Sequence, residues 1–292
     1  MTTQKPLLRS VLYVPADNAK ALAKSAGLPC DAVIYDLEDA VAPDAKTAAR
    51  EALRAHFETS GSTHALKAIR INGLDTPWGT EDLLAARACL PDAIAMPKVD
   101  GARDLQLVED ALAETDAPES LQVWAMIETA AGVLNSAHTA SHGGRLGALI
   151  VGTNDLTKDT GADVSQIHPW LMQIVLAGKA HGLPVLDGVF NDHRDLDGFD
   201  RACRQSVVMG FDGKTLIHPA QIDPANRAFA PSADAIAAAQ KIVQAFALPD
   251  NAGKGVISLD GKMVERLHLD QALSLVEKAN TIASRTTDKG QI

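Results

Sequence analysis

The feature that most constrains the fold of this chain is a regular alternation of short apolar runs with longer alanine-rich segments. Eight of these runs have the length and the β-branched content of strands. They cover Ser10–Val14, Ala32–Leu37, Leu66–Ile71, Ala93–Met96, Leu121–Ile127, Ala148–Val151, Pro184–Leu186 and Thr215–Ile217. The intervening segments have helical periodicity, and the unbroken apolar runs are typical of parallel strands buried on both faces. We therefore predict an α/β fold, a closed (β/α)8 TIM barrel, although an open doubly wound sheet would give a similar alternation.

The alternation stops after the eighth run, so we predict two parts. The chain has 292 residues, enough for one barrel and a terminal extension. We place the barrel catalytic domain at residues 1–230 and a C-terminal helical lid and oligomerisation extension at 231–292. The extension is predicted to contain a helix from Ser232, its N-cap, to Ala247. A glycine-bounded strand and a last helix from about Met263 to Ser284 follow.

Composition excludes several classes of protein. The net charge is −10 and no block of Lys or Arg occurs, which argues against nucleic-acid binding. The longest apolar stretch falls short of the roughly eighteen residues of a transmembrane helix, so no membrane association is expected. The three cysteines, Cys30, Cys89 and Cys203, are far apart and odd in number, which argues against a disulfide framework. We expect a cytoplasmic enzyme.

Charged side chains recur where the predicted strands end. In parallel barrels, functional residues gather beyond the carboxyl ends of the strands. The residues at these positions are Asp36, Glu38, Asp39, Arg70, Lys98, Glu128, Asp155, Asp187 and His218. Such a convergence is unusual for ordinary surface loops, so we predict an active site at this end of the barrel.

Glu128 and Asp155 follow adjacent strands, so both carboxylates can approach one point above the barrel. Two oxygen ligands with water in the remaining positions suit Mg²⁺. The alternative is that both acids only cap helices. Arg70 ends an apolar strand and could bind a substrate carboxylate, or it could form an ion pair with Asp36 or Glu38.

Eight short motifs occur in a characteristic order along most of the chain. They are RSVLYVP (9–15), VIYDLEDAV (33–41), IRIN (69–72), MPK (96–98), MIETAAGV (126–133), GTNDL (152–156), VLDGVF (185–190) and GFDGKTLIHPAQI (210–222). NRAFAPS (226–232) and GKMVE (261–265) continue the likeness. Together they closely resemble the citrate lyase beta-subunit-like family of the aldolase/citrate lyase superfamily.

The resemblance implies a Mg²⁺-dependent carbon–carbon lyase. Such an enzyme splits a coenzyme A or acyl-carrier thioester of a 3-hydroxy dicarboxylic acid into an acyl thioester and a 2-oxo acid, as in malyl-CoA, citramalyl-CoA and citryl-CoA lyases. Its metal ligands would be Glu128 and Asp155. The substrate-binding residues would be Arg70, which takes the oxo-acid carboxylate, and Arg9 and Lys98. Residues Asp36, Glu38 and Asp39 would organise water around the metal.

The tail motif departs from the family pattern, because it ends in Glu265 where relatives have Asp. The resemblance gives this carboxylate the catalytic acid/base role, supplied to a neighbouring subunit in a homotrimer or hexamer. A longer side chain could misplace it, so two alternatives stay open. One is a thioester hydrolase of malyl-CoA type, and the other is a partner-dependent citrate lyase beta subunit.

Overall fold

The computed structural model describes residues 6–61 and 64–287, and its centre is a closed barrel of eight parallel strands. The strands are β1 Ser10–Pro15, β2 Ala32–Asp36, β3 Leu66–Arg70, β4 Ala93–Met96, β5 Gln122–Ile127, β6 Leu146–Val151, β7 Val185–Asp187 and β8 Gly213–Leu216. Each strand pairs with the next, and β8 pairs with β1. The predicted (β/α)8 barrel is confirmed, and closure excludes an open doubly wound sheet.

Helices follow the strands and cover the outside of the barrel. They are α1 Ala19–Ser25, α2 Lys46–Thr59, α3 Gly79–Cys89, α4 Ala102–Glu114, α5 Ala130–Leu134, α6 Ser136–Ala140, α7 Thr153–Thr160, α8 His168–Ala180, α9 Leu196–Met209 and α10 Ile222–Ala228. The outer faces of the strands and the inner faces of these helices form one apolar core. This arrangement leaves the strand ends free to carry polar loops.

A second, smaller core fills the barrel interior. Its largest member is Trp124 on β5, which is 1% exposed. Its partners in register on the two adjoining strands are both alanines, Ala95 on β4 and Ala148 on β6. Small residues beside a large one let the interior of a narrow barrel fill without voids. The barrel is therefore a solid support for its carboxyl end.

The chain divides into two compact units, one ending at Phe229 and the other beginning at Ala230. In the second unit, helix α11 (Ala233–Ala247) packs against helix α12 (Arg266–Thr287). The Ser232 hydroxyl accepts a hydrogen bond from a backbone N–H in the first turn of α11, which confirms Ser232 as the N-cap.

The last helix is present, but it begins at Arg266 and not at about Met263. Strands β9 (Val256–Leu259) and β10 (Lys262–Glu265) form an antiparallel pair instead, and α12 starts after them. Val264 is buried with Ile257 on the neighbouring strand, so burial follows strand alternation here. Glu265 is consequently the last residue of a strand.

No helix among residues 6–61 and 64–287 combines the length and the apolar character needed to cross a membrane.

Candidate functional site

The acidic loop after β2 is fixed by its own backbone. Asp36, the last residue of β2, accepts hydrogen bonds from the N–H groups of Glu38 and Ala40 at 2.9 and 3.2 Å. Both carboxylate oxygens also face Arg70 at the end of β3, the strand paired with β2. The Nε and Nη2 atoms donate to Asp36 at 2.7 and 2.5 Å, in a two-pronged ion pair.

Arg70 has further partners on every side. Its Nη1 atom lies 3.0 Å from Glu38 Oε2 and 3.4 Å from Asp39 Oδ2. Its guanidinium also stacks on the ring of Tyr13, with the Cζ atom 4.9 Å from the ring centroid. The ion pair with Asp36 and Glu38, the alternative reading of Arg70, is therefore present, and it holds the buried guanidinium at the carboxyl end of the barrel.

Lys98 connects this acidic loop to the next carboxylate. Its backbone adopts a left-handed conformation, with φ of 50°, an uncommon conformation for a residue with a side chain. Its N–H donates to Glu128 Oε1 at 2.8 Å, and its ammonium contacts Glu38 Oε1 at 2.6 Å. Lys98 thereby orients two carboxylates with two different groups.

Glu128 is almost fully buried, and its environment is strongly negative. Burial, with the nearby charges of Glu38 and Asp155, raises the pKa of Glu128 to about 7. Gly152 leaves the space that the carboxylate occupies, because a Cβ atom at this position would lie 2.0 Å from Glu128 Oε2. A bound cation would offset the cost of ionising this group.

The side chains at this end of the barrel enclose an open cavity of about 380 Å³. It is lined by Tyr13, Pro15, Asp36, Asp39, Ala40, Arg70, Met126, Glu128, Val151, Gly152, Thr153, Asn154, Asp155, Val189, Asn191, Thr215 and Ile217. Residues that follow seven of the eight strands, or end them, therefore converge on one space.

Glu128 and Asp155 are the cavity carboxylates best placed to hold a metal ion. Neither caps a helix: Thr129 is the N-cap of α5, and Gly152 that of α7. Within the described part of the chain, neither the Glu128 nor the Asp155 carboxylate forms an ion pair. The Glu128 Oε2 atom also accepts no hydrogen bond there. No group of three or more His, Cys, Asp or Glu side chains in the described residues is close enough together to hold a metal ion by itself. Two carboxylates completed by water are a typical Mg²⁺ site, so these residues fit that ion.

Three residues expected at the site lie elsewhere or point away. Arg9 precedes β1, at the amino end of the barrel, and forms a two-pronged ion pair with Asp31 at 2.8 and 2.9 Å. Arg9 is not among the residues that line the cavity, so nothing in this geometry supports its expected role in substrate binding. Asp187 follows Leu186, which faces the barrel interior, and successive side chains of a strand point to opposite faces. Asp187 therefore points outward, where its carboxylate contacts Lys214 Nζ at 2.5 Å. His218 is exposed and caps the turn after β8.

Sequence reasoning missed several cavity residues, among them Tyr13 and the amide pair Asn154 and Asn191. The two amides exchange hydrogen bonds at 2.8 and 3.3 Å across the loops after β6 and β7. Strand alternation could have identified Tyr13, since it shares the inward face of β1 with Val11. Nothing in the sequence signals the amide pair.

Comparisons with known proteins agree with this architecture. The family model described as HpcH/HpaI aldolase/citrate lyase matches residues 9–219. The chain is 44% identical over 288 residues to a (3S)-malyl-CoA thioesterase of Cereibacter sphaeroides (strain KD131 / KCTC 12085), covering 97% of this chain and 99% of the relative. It is 32% identical to a mitochondrial citramalyl-CoA lyase of Rattus norvegicus, covering 95% of this chain and 87% of the relative.

A solved structure is similar over nearly the whole chain. It is the CitE protein of Mycobacterium tuberculosis in complex with magnesium, acetoacetate and coenzyme A. The TM-score is 0.77 at 29% identity, covering 96% of this chain and all of the solved one. The family model covers most of the barrel, and the relatives match almost from end to end. The chain therefore belongs to the HpcH/HpaI aldolase/citrate lyase family.

Proposed function

We propose that this protein is a Mg²⁺-dependent hydrolase of a coenzyme A thioester of a 3-hydroxy dicarboxylic acid, of the malyl-CoA type. The observation that carries the proposal is the 44% identity, over 97% of the chain, to a protein named (3S)-malyl-CoA thioesterase. The relative named as a lyase is 32% identical. The sequence analysis gave thioester hydrolysis as an alternative to carbon–carbon cleavage. We now prefer hydrolysis and keep the carbon–carbon lyase as the second candidate.

The cavity is suited to a metal and a small acid. Glu128 and Asp155 would hold Mg²⁺, and Gly152 leaves room for the carboxylate that faces it. The ion would act as a Lewis acid and neutralise charge on the bound acid. Support for this metal comes from the magnesium in the related CitE structure and from the raised pKa of Glu128.

Arg70 supplies positive charge to the lining of the same cavity. It is held by Asp36 and Glu38, so it cannot turn away when the acid enters. Fixed groups of this kind bind a charged ligand with little loss of conformational freedom. We assign the carboxylate of the acid to this side, and the acidic loop Asp36–Asp39 to holding Arg70 and ordering water near it.

The hydrolysis needs one water molecule and no other co-reactant. The water oxygen adds to the thioester carbonyl, the carbon–sulfur bond breaks, and the sulfur leaves as the thiol after it receives a proton. The products are free coenzyme A and the hydroxy acid. The proton of the attacking water would pass to a carboxylate that does not hold the metal, and the family resemblance makes Glu265 of a neighbouring copy the candidate for this role.

The second candidate is the lyase reaction, which would use the same cavity. It is favoured by the relative named citramalyl-CoA lyase. Glu265 weakens it, because the resemblance implies an Asp as the acid/base at this position and a Glu side chain is longer. In that reaction the bond between two carbons of the acid breaks, giving an acyl thioester and a 2-oxo acid. The two candidates therefore differ in their products.

Product analysis separates the candidates. The purified protein would be incubated with Mg²⁺ and malyl-CoA, and free thiol, malate, acetyl-CoA and glyoxylate would be measured together. We expect thiol and malate in equal amounts, and neither product without Mg²⁺ or with Glu128→Gln. Acetyl-CoA and glyoxylate would show the lyase instead. No product would contradict both candidates and favour a partner-dependent subunit.

A further inference from the structure

Tyr13 lies on the floor of the cavity and is not used by the metal or the acidic loop. It is on β1, faces the barrel interior, and lines the cavity. Its ring is packed against the guanidinium of Arg70, whose Cζ atom is 4.9 Å from the ring centroid. The ring therefore has a fixed place beside the positive charge that would attract an acid.

The hydroxyl of Tyr13 has only a weak protein partner. Within residues 6–61 and 64–287, its hydrogen-bond contact is with the sulfur of Met126, at 3.8 Å. A thioether is a poor acceptor, so the O–H group keeps most of its capacity to donate to a ligand. Burial raises the pKa of Tyr13 above its usual value, so the phenol keeps its proton at neutral pH.

Several other donors around the cavity already have acceptors. Arg70 donates to carboxylates, and the Thr215 hydroxyl donates to the carbonyl of Asp187 at 3.0 Å. Asn154 and Asn191 bond to each other. An anion entering a cavity rich in carboxylates needs donors, and among these groups the Tyr13 hydroxyl has the weakest existing partner.

We propose that Tyr13 is a substrate-contacting residue whose phenol donates a hydrogen bond to an anionic oxygen of the dicarboxylic acid held beside Arg70. The inference rests on the proposed function for the identity of the acid. It adds a specificity element, because a neutral donor on the cavity floor favours a ligand with an oxygen at that depth over one with a methyl group.

A matched pair of variants tests this contact. Tyr13→Phe keeps the ring and its stacking on Arg70 but removes the hydroxyl. Tyr35→Phe is the control: it is the other tyrosine of the chain, and its hydroxyl bonds Ser25 and His56 at 3.1 Å, outside the cavity lining. Affinity for (S)-malate with Mg²⁺ would be measured by calorimetry, and kcat and KM with malyl-CoA would be determined. Thermal unfolding would verify the fold of each variant.

We expect Tyr13→Phe to weaken malate binding about tenfold to hundredfold, the range for a lost hydrogen bond to a charged group. Tyr35→Phe should leave the affinity unchanged. An unchanged affinity in Tyr13→Phe, an equal loss in both variants, or no malate binding by the unsubstituted protein would each overturn the inference. If the unsubstituted protein binds malate through Tyr13 but does not hydrolyse malyl-CoA, the proposed function fails and this contact stands.

Discussion

Glu128 shows how a single side chain depends on its neighbours for its chemistry. The N–H of Lys98 fixes one carboxylate oxygen, and Gly152 leaves the space for the other. Asp155 and Glu38 make ionisation unfavourable. The geometry and the ionisation of Glu128 can therefore be tested separately.

The first prediction concerns Gly152. An alanine there would bring its Cβ within 2.0 Å of Glu128 Oε2 and 2.5 Å of Glu128 Cβ, so the buried carboxylate must move. We expect Gly152→Ala to weaken Mg²⁺ binding about tenfold or more, since small displacements at such sites have large effects. Gly101→Ala is the control, because a Cβ there meets no atom within 4 Å. Equal Mg²⁺ affinities of the two variants by calorimetry would contradict the role given to Gly152.

The second prediction concerns pH. The pKa of Glu128 is raised from 4.5 to about 7, so between these values the folded protein keeps a proton that the unfolded chain has lost. The free energy of unfolding contributed by Glu128 therefore falls as pH rises through this window. Glu128→Gln cannot ionise and escapes this loss.

Thermal unfolding in the presence of a chelator measures that difference. We expect Glu128→Gln and the unsubstituted protein to be similar at pH 5. At pH 8 the variant should be more stable, by roughly 2–4 °C for each kcal/mol of unfavourable ionisation. Parallel curves for the two proteins across this range would show that the Glu128 pKa is not raised.

At the scale of elements, a buried lysine ties helix α2 to the acidic loop. Lys46 is 4% exposed, and its ammonium donates to the carbonyls of Leu37 and Glu38 at 2.9 and 2.8 Å. The third donor reaches Asn72 Oδ1 at 3.0 Å. Each proton of the ammonium thus has an acceptor, and two of the three acceptors belong to the loop that surrounds Arg70.

We predict that Lys46→Met leaves these acceptors without a donor and destabilises the fold by about 2–4 kcal/mol. The acidic loop should loosen, so kcat should fall more than the affinity for Mg²⁺. Lys67→Met is the control: its ammonium donates to Ser60 and Gly61, away from the site, at 3.0 and 3.3 Å. Chemical unfolding and steady-state kinetics would show both effects, and equal behaviour of the two variants would refute the prediction.

The sequence predicted the elements and the site best where one physical pattern was sufficient. Apolar runs located all eight strands, and the carboxyl-end rule placed Asp36, Arg70, Glu128 and Asp155 around one cavity. The same rule does not predict a substrate-binding role for Arg9, because Arg9 lies before β1 and not after it. Only the family resemblance implies that role. A pattern of apolar runs does not show the left-handed backbone of Lys98, which depends on contacts across the barrel.

For the whole molecule, the second unit, which begins at Ala230, is the part expected to mediate assembly. Large apolar side chains remain exposed on it, including Leu248, Met263 and Leu267, which are 55%, 68% and 50% exposed. Exposed apolar surface is often covered in an oligomer. The sequence predicts a homotrimer or hexamer in which Glu265 serves a neighbouring copy.

We therefore predict that Glu265→Gln assembles and binds Mg²⁺ like the unsubstituted protein but turns over at least about a hundredfold more slowly, the contribution typical of a general acid or base. Glu277→Gln, a change on helix α12, is the control. Light scattering and steady-state kinetics are the measurements. A solution mass equal to one chain, or full activity of Glu265→Gln, would contradict the prediction.

Isotope labelling of water distinguishes thioester hydrolysis from carbon–carbon cleavage most directly, because only hydrolysis transfers a water oxygen to malate. The protein would be given malyl-CoA and Mg²⁺ in water enriched in oxygen-18, and the products would be analysed by mass spectrometry. Thioester hydrolysis predicts malate with one heavy oxygen in the carboxylate that had carried the sulfur, in an amount equal to the free coenzyme A. Glyoxylate and acetyl-CoA without labelled malate would contradict the hydrolase and establish carbon–carbon cleavage.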